Sequence, residues 1–177
     1  MPTKRPTMLS RIDELRLVAQ CALADNRRAF GRLVEEYQDG VRRLLMNLTG
    51  DACLADDLAQ ETFLKAYVAI RGFKGLSGMR TWLFRIACNE FYAWARTRRE
   101  ERADVLPEAS CRSGDEAVKV DVASALASLS ERERVVATLY FVDDRKLRDI
   151  AAITGMPLGT VKSLVSRSRV KLQEFLK

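Results

Sequence analysis

The carboxylates that this chain could use for chemistry cluster in one short stretch. Asp56, Asp57 and Glu61 lie within two helical turns, with Gln60 between them. Paired carboxylates can serve acid–base catalysis or hold a divalent metal. However, the 177 residues include no histidine, which excludes Ser-His-Asp and Cys-His catalysis, HExxH zinc sites and histidine proton shuttles. With no second carboxylate cluster, a solvated or protein-docking helix face is favoured over a metal site.

The cysteines are the other side chains that could react. The chain has four, Cys21, Cys53, Cys88 and Cys111, whose spacing contains no CxxC pair and fits no zinc motif. The first three lie in helical apolar patterns, where a free cysteine usually packs as a small hydrophobe. Cys111 lies in a polar stretch, and the sequence leaves its redox activity open. With no apolar leader and no run of 18 apolar residues, we expect a reduced, cytoplasmic protein that does not insert into a membrane.

A helix-turn-helix is predicted near the C-terminus. Apolar residues from Leu147 to Ile153 follow helical spacing, Gly155 is a typical C-cap, and Pro157 prevents the helix from continuing. A last helix then starts near Thr160 and reaches about Leu176. In this arrangement the second helix can lie in the major groove of DNA.

The last helix has two chemically different faces. At about 100° per residue, Val161, Leu164 and Val165 begin an apolar stripe that continues to Phe175. The opposite face presents lysine, arginine and hydroxyl groups, which can bind phosphates and base edges. An ordinary helical hairpin with a solvated face would show a similar pattern, so both interpretations stay open. The polar face comprises Lys162, Ser163, Ser166, Arg167 and Val170.

A second helix with a mixed face is predicted from about Arg80 to Arg99. Around Asn89 this face combines arginine, asparagine and aromatic groups, whereas Leu83, Phe91 and Trp94 lie on the other side. Arginine can bind phosphates, asparagine can read a base edge, and aromatic rings can stack on unpaired bases. Alternatively, the two rings on this face pack against neighbouring helices. The face comprises Trp82, Arg85, Asn89, Tyr92, Ala93 and Arg96.

Further helices must position these faces. Asp25 or Asn26 caps a helix that runs to about Leu48, and the carboxylate cluster lies on the next helix, from Ala52 to Ile70. The glycine-spaced loop from Arg71 to Gly78 lacks the spacing of a phosphate-binding loop. Near the C-terminus, the capping-box pattern Ser130-x-x-Glu133 starts a helix that reaches about Val142.

Proline placement and charge predict an all-α fold of two small helical domains. All four prolines lie outside residues 7–106, and the net charge of +6 includes basic stretches at 80–99 and 129–177 on either side of an acidic stretch at 100–128. Two basic blocks indicate a polyanionic partner. We predict an N-terminal domain at 1–98, a flexible acidic linker at 99–124, and a helix-turn-helix domain at 125–177.

In this order, the motifs resemble the extracytoplasmic-function sigma factors, which are subunits of bacterial RNA polymerase. The resemblance covers nearly the whole chain. It rests on Asp56–Tyr67 (DDLAQETFLKAY), Arg80–Ala87 (RTWLFRIA) with Asn89, Leu129–Arg134 (LSERER), Asp149–Ala151 (DIA) and Gly159–Ser163 (GTVKS), ending in Arg167–Arg169 (RSR).

The resemblance implies a non-enzymatic promoter-specificity subunit without a cofactor. Asp57, Gln60 and Glu61 would dock on the β′ clamp helices of core RNA polymerase, and the β flap is the second expected contact on the polymerase. The loop 72–79 would capture a base flipped from the −10 promoter element, and the linker would follow the RNA-exit path. An anti-sigma factor would cover the binding faces. The −10 residues would be Trp82, Arg85, Asn89, Tyr92 and Arg96, and the −35 residues Thr160, Lys162, Ser163, Ser166 and Arg167.

Two positions depart from the family pattern. Ala93 stands where the family often has aspartate, and Leu164 stands where it often has arginine. These changes leave the promoter sequence undetermined. Two other functions also stay open: a stand-alone helix-turn-helix regulator, and a nuclease that uses Asp56, Asp57 and Glu61.

Overall fold

A computed structural model of the chain describes residues 9–24, 26–104 and 117–175. In these ranges every regular element is helical, which confirms the predicted all-α fold. The elements are α1 (Arg11–Ala24), α2 (Arg27–Thr49), α3 (Ala52–Ala69), a 3-10 turn (Ile70–Gly72), α4 (Met79–Asp104), α5 (Ala117–Ala127), α6 (Glu131–Ala137), a π turn (Thr138–Val142), α7 (Leu147–Thr154) and α8 (Leu158–Phe175).

Local hydrogen bonds set the predicted helix boundaries around α2 and α3. The Asn26 side chain accepts the backbone N–H of Arg28 at 3.1 Å, so α2 is capped by one of the two residues predicted for that position. Gly50 ends that helix with a left-handed φ of 69°, which glycine adopts without a steric penalty. Asp51 then caps α3 by accepting the N–H of Leu54 at 3.1 Å.

The sequence patterns did not predict α1, nor did they predict α5, which begins inside the predicted linker. α1 buries Leu17, Val18 and Cys21, but its apolar residues do not form one clean stripe, because Ile12 and Leu23 are exposed. Apolar residues on both sides of a helix weaken the periodic signal on which sequence-based recognition depends.

The helix predicted from Ser130 to Val142 changes its hydrogen bonding midway. The backbone N–H of Ser130 donates to Glu133 Oε2 at 3.1 Å, which agrees with the predicted capping box. After Ala137 the chain widens into the π turn, where the N–H of Asp143 donates to the Thr138 carbonyl at 3.0 Å. Gly155 ends α7 in the left-handed conformation, as its spacing indicated.

One continuous core joins the N-terminal unit (α1–α4) to the C-terminal unit (α5–α8). Leu44 and Phe84 of the first unit belong to the same buried cluster as Leu139 and Ile150 of the second. The two units therefore pack against each other in this structure, although the sequence suggested that a linker holds them apart. Both described ends of the predicted linker are helical, because α4 continues to Asp104 and α5 begins at Ala117.

Candidate nucleic-acid and protein-binding surfaces

The predicted polar face of α8 is open to solvent. Val161, Leu164 and Val165 are buried beneath it, and Leu164 is 9% exposed, as its position in the apolar stripe predicted. The stripe does not stay buried to its end, because Phe175 is 47% exposed. The exposed residues on the opposite side include Thr160, Lys162, Ser163, Ser166 and Arg167.

A buried carboxylate attaches α8 to α6. Glu133 receives hydrogen bonds from Lys171 Nζ at 2.8 and 2.9 Å and from the Ser130 hydroxyl at 2.7 Å. The bond from Lys171, together with those from Ser130, holds the pKa of Glu133 below its usual value, although burial acts in the opposite direction. This cluster fixes the orientation in which α8 presents its polar face.

A basic groove lies beside that face and was missed by the sequence patterns. It has a volume of about 840 Å³ and lies between α8 and residues 144–148, which include the first turn of α7. Lys146 and Arg148 from that segment meet Lys162 and Arg169 from α8, and the Arg169 guanidinium lies 5.8 Å from the centre of the Phe141 ring. The three basic residues Arg145, Lys146 and Arg148 were the available signal.

The mixed face of α4 is only partly exposed. Arg85, Asn89 and Arg96 are exposed, whereas Trp82 and Tyr92 are half-buried. The Trp82 ring lies 5.2 Å from that of Phe73, and the Tyr92 hydroxyl is buried without a hydrogen-bond partner among the described residues. Burial raises the pKa of Tyr92. The two aromatic rings therefore pack as the alternative interpretation proposed.

α7 of the C-terminal unit lies against this same face. Arg85 donates to the carbonyl oxygen of Ala152 through Nε at 2.9 Å and also through Nη2. The Arg145 guanidinium lies 5.2 Å from the centre of the Phe84 ring. Asp143 is nearly buried in the contact, 3.8 Å from Arg43, and burial raises its pKa. The first helix of the helix-turn-helix thus covers part of the predicted −10 surface.

The predicted docking residues Asp57, Gln60 and Glu61 are all exposed on α3. Their neighbour Asp56 is paired with Arg42, whose hydrogen bond lowers the pKa of the Asp56 carboxyl. In the described ranges, no group of three or more histidine, cysteine, aspartate or glutamate side chains lies close enough together to hold a metal ion.

An apolar groove of about 700 Å³ lies between α2 and α3, next to these docking residues. Its lining includes the rings of Phe30, Phe63 and Tyr67, and Leu64 beside them is 61% exposed. This combination of an apolar groove and a polar rim suits a helical protein partner.

Among the helices that the structure describes, none has both the length and the apolar character needed to cross a membrane.

The loop between the 3-10 turn and α4 lies at the N-terminal end of the mixed face. Its residue Leu76 is 90% exposed, whereas Phe73 packs on Trp82. Gly75 has a φ of 67°, a conformation that other residues rarely adopt.

Comparison with known proteins finds two matching family descriptions. Residues 33–101 match Sigma-70 region 2, and residues 119–172 match Sigma-70, region 4. The RNA polymerase sigma-H factor of Pseudomonas aeruginosa is 34% identical, with 96% of each chain covered. The ECF RNA polymerase sigma factor SigW of Bacillus subtilis is 31% identical, with 84% of this chain and 89% of SigW covered.

Two solved structures have a similar fold. The sigma factor RpoE, solved with the anti-sigma factor NepR from Bartonella quintana, superposes with a TM-score of 0.71 and 33% identity over 83% of this chain and 96% of its own. CnrH, solved with the cytosolic domain of CnrY, has a TM-score of 0.71 and 27% identity over 94% of this chain and 96% of its own.

Proposed function

Because this chain belongs to the extracytoplasmic-function sigma factors, we propose that it binds core RNA polymerase and directs it to a particular set of promoters. The observation that carries the proposal is the order of the two matches, with region 2 at residues 33–101 and region 4 at residues 119–172 of one chain. On this proposal the protein is not itself an enzyme. It works in the cytoplasm, where the polymerase catalyses the reaction.

We assign one role to each of the three surfaces. The α3 face with Asp57, Gln60 and Glu61 docks on the β′ clamp helices, and its exposed carboxylates and neighbouring apolar groove suit a protein partner. The exposed face of α8 reads the −35 element. The α4 face around Asn89, together with the loop 72–79, opens and reads the −10 element. We keep the domain boundaries 1–98, 99–124 and 125–177 as part of this proposal.

We further propose that an anti-sigma factor controls the protein. RpoE was solved with the anti-sigma factor NepR, and CnrH was solved with the cytosolic domain of CnrY. Each superposes on 83% or more of this chain, which includes residues of both units. We infer that such a partner binds the packed arrangement of the two units. An anti-sigma factor that favours this arrangement would keep the −10 and −35 surfaces from reaching DNA together.

Transcription of fragmented genomic DNA from the source bacterium tests the proposal. Core polymerase is incubated with and without the protein, and the 5′ ends of the transcripts are sequenced. We expect new 5′ ends that share one pair of motifs near positions −10 and −35. Sequence-specific duplex binding by the protein alone, with no new start sites when core is present, would instead establish a stand-alone regulator. DNA nicking that depends on Mg²⁺ and on Asp57 would establish a nuclease.

A charge reversal on α3 tests the polymerase-binding surface. Glu61→Lys should weaken binding to core RNA polymerase by about tenfold or more, because a lysine would face a partner surface that is complementary to carboxylates. Glu101 is an exposed glutamate near the end of α4, and the Glu101→Lys variant serves as the control. Affinity is measured with fluorescently labelled protein, and circular dichroism verifies the fold. Equal affinities for the two variants would remove the α3 face from the proposal.

A further inference from the structure

α1 lies outside the segment that matches region 2, yet it contacts the loop in front of α4. The match begins at residue 33, whereas α1 ends at Ala24. From the first turn of α1, Arg11 Nη2 donates to the carbonyl oxygen of Gly75 at 2.7 Å. One turn later, Leu15 lies so close that a Cβ on Gly75 would be 3.1 Å from Leu15 Cδ2.

The helix that makes these contacts is itself held firmly. Leu17, Val18 and Cys21 are buried in the core, which attaches α1 to the rest of the N-terminal unit. The hydroxyl of Tyr37 on α2 donates to Glu14, and the Arg80 guanidinium of α4 lies 5.9 Å from the centre of the Tyr37 ring. The first turn of α1 is therefore a fixed support beside the loop.

The loop, by contrast, has few features that would define its shape on its own. Backbone bonds mark its two ends, from Phe73 N–H to the Ile70 carbonyl and from Trp82 N–H to the Gly78 carbonyl, each at 3.1 Å. Between these ends lies the left-handed Gly75, a residue with wide conformational freedom. Holding such a segment in one conformation before it binds removes an ordering cost from the binding step.

We propose that α1 is a positioning element for base capture: Arg11 and Leu15 hold residues 73–78 of the loop 72–79 in the conformation that receives the flipped base. This inference rests on the proposed role of the loop in opening the −10 element. Unstacking a base costs a few kcal/mol, so a loop that must first be ordered captures the base less effectively than a preformed one. Arg11 acts through the loop and does not itself contact DNA.

Arg11→Ala, compared with Arg16→Ala, tests this proposal. Arg16 is an exposed arginine of the same helix, about 140° around it from Arg11. In holoenzyme at a start site found as above, permanganate reactivity of unpaired thymines should fall about fivefold for Arg11→Ala, the factor expected for one lost hydrogen bond. Core affinity should stay unchanged, and Arg11→Lys should restore part of the opening.

Hydrogen exchange in the free protein provides a second readout, which does not depend on transcription. Backbone amides of residues 74–78 should exchange several-fold faster in Arg11→Ala than in Arg16→Ala. Normal initiation by the wild type, with equal opening and exchange in the two variants, would overturn the role of α1 and leave the proposed function intact. A parallel loss of core binding and opening would show a structural role only. Failure of the wild type to initiate at any specific promoter would instead refute the proposed function.

Discussion

The predicted site residues on α4 differ in how much of each side chain is available to a partner. Asn89 is exposed at the centre of the face, whereas the Tyr92 hydroxyl is buried near α6 and Trp82 packs on Phe73. An exposed amide can exchange water for a base edge at little cost, but a packed ring must first leave its neighbours. Among these residues, Asn89 is therefore the one best placed to read DNA directly in this structure.

Replacing Asn89 tests this assignment. Asn89→Ala should reduce open-complex formation at a cognate promoter by about tenfold, because a good contact to a base edge contributes about 1–3 kcal/mol. Affinity for core polymerase should not change. Both quantities are measured on the same holoenzyme preparation, with Glu101→Ala as the control for an exposed α4 residue. A similar loss of core binding and opening would refute the role assigned to Asn89.

The cysteines should differ sharply in reactivity. Burial raises the pKa of the Cys88 thiol to about 12, with a smaller contribution from nearby Asp143, whereas Cys53 is exposed. Because only the thiolate is nucleophilic, Cys88 should resist iodoacetamide at pH 8 until the protein unfolds, while Cys53 is alkylated in the native state. Peptide mass spectrometry with and without urea measures this. Alkylation of native Cys88 as fast as that of Cys53 would contradict the packing around α4.

At the scale of single helices, α8 depends on its attachment to α6. The polar face of α8 is useful for recognition only if the helix is held in one orientation, and the cluster of Glu133, Lys171 and Ser130 provides that constraint. The Ser168 hydroxyl, also buried, adds a bond to the Glu133 carbonyl at 3.4 Å. The helix-turn-helix is thus supported by an ion pair whose carboxylate is buried.

Glu133→Gln should remove a pH-dependent part of the stability. The pKa of Glu133 is lowered in the folded protein from a reference of 4.5, so its contribution is complete above that value and is lost as the pH falls through the folded pKa. We expect the variant to be less stable by about 1 kcal/mol at pH 7, with the difference shrinking below about pH 4.5. Urea unfolding at several pH values measures it, with Glu174→Gln as the exposed control. A difference that is constant with pH would contradict the assignment.

At the scale of the whole molecule, the two units share one core and exchange hydrogen bonds. Arg134 of α6 donates to the Leu48 carbonyl at the end of α2 at 3.1 Å, and also to the carbonyls of Leu126, Ala127 and Leu129. Arg85 is engaged with Ala152 in the same contact region between units. The N–H groups used in that bond cannot bind a DNA phosphate at the same time. Promoter binding through them therefore requires α7 to move away from α4.

Arg134→Ala should destabilise the whole protein, because four carbonyl groups each lose a hydrogen bond from the guanidinium. We expect a loss of about 1–3 kcal/mol in the free energy of unfolding, the range expected when bonds from a charged donor to partly buried carbonyls are removed. Arg132→Ala, an exposed arginine on the same helix, should change it by less than about 0.5 kcal/mol. Urea denaturation gives both values, and small-angle scattering shows whether the units separate. Equal stabilities would mean that Arg134 does not join the units.

Much of the local structure could be predicted from the sequence. The capping box at Ser130, the stop at Gly155 and the burial of Leu164 were predicted correctly, and Asn26 is one of the two residues predicted to cap α2. Each depends on residues within a few positions of one another, so its physical cause is present in a short stretch of chain. The family motifs are likewise short local patterns, and they identified the family.

Contacts between distant residues were decided only by the tertiary structure. Arg85 meets Ala152 across 67 positions, and Arg11 meets Gly75 across 64. No periodicity relates such pairs, because their approach depends on how whole helices pack and on which apolar surfaces share a core. The sequence by itself therefore determined most of the helices, the faces of α8 and the family. The tertiary structure decided that α7 covers part of the α4 face and that α1 supports the loop.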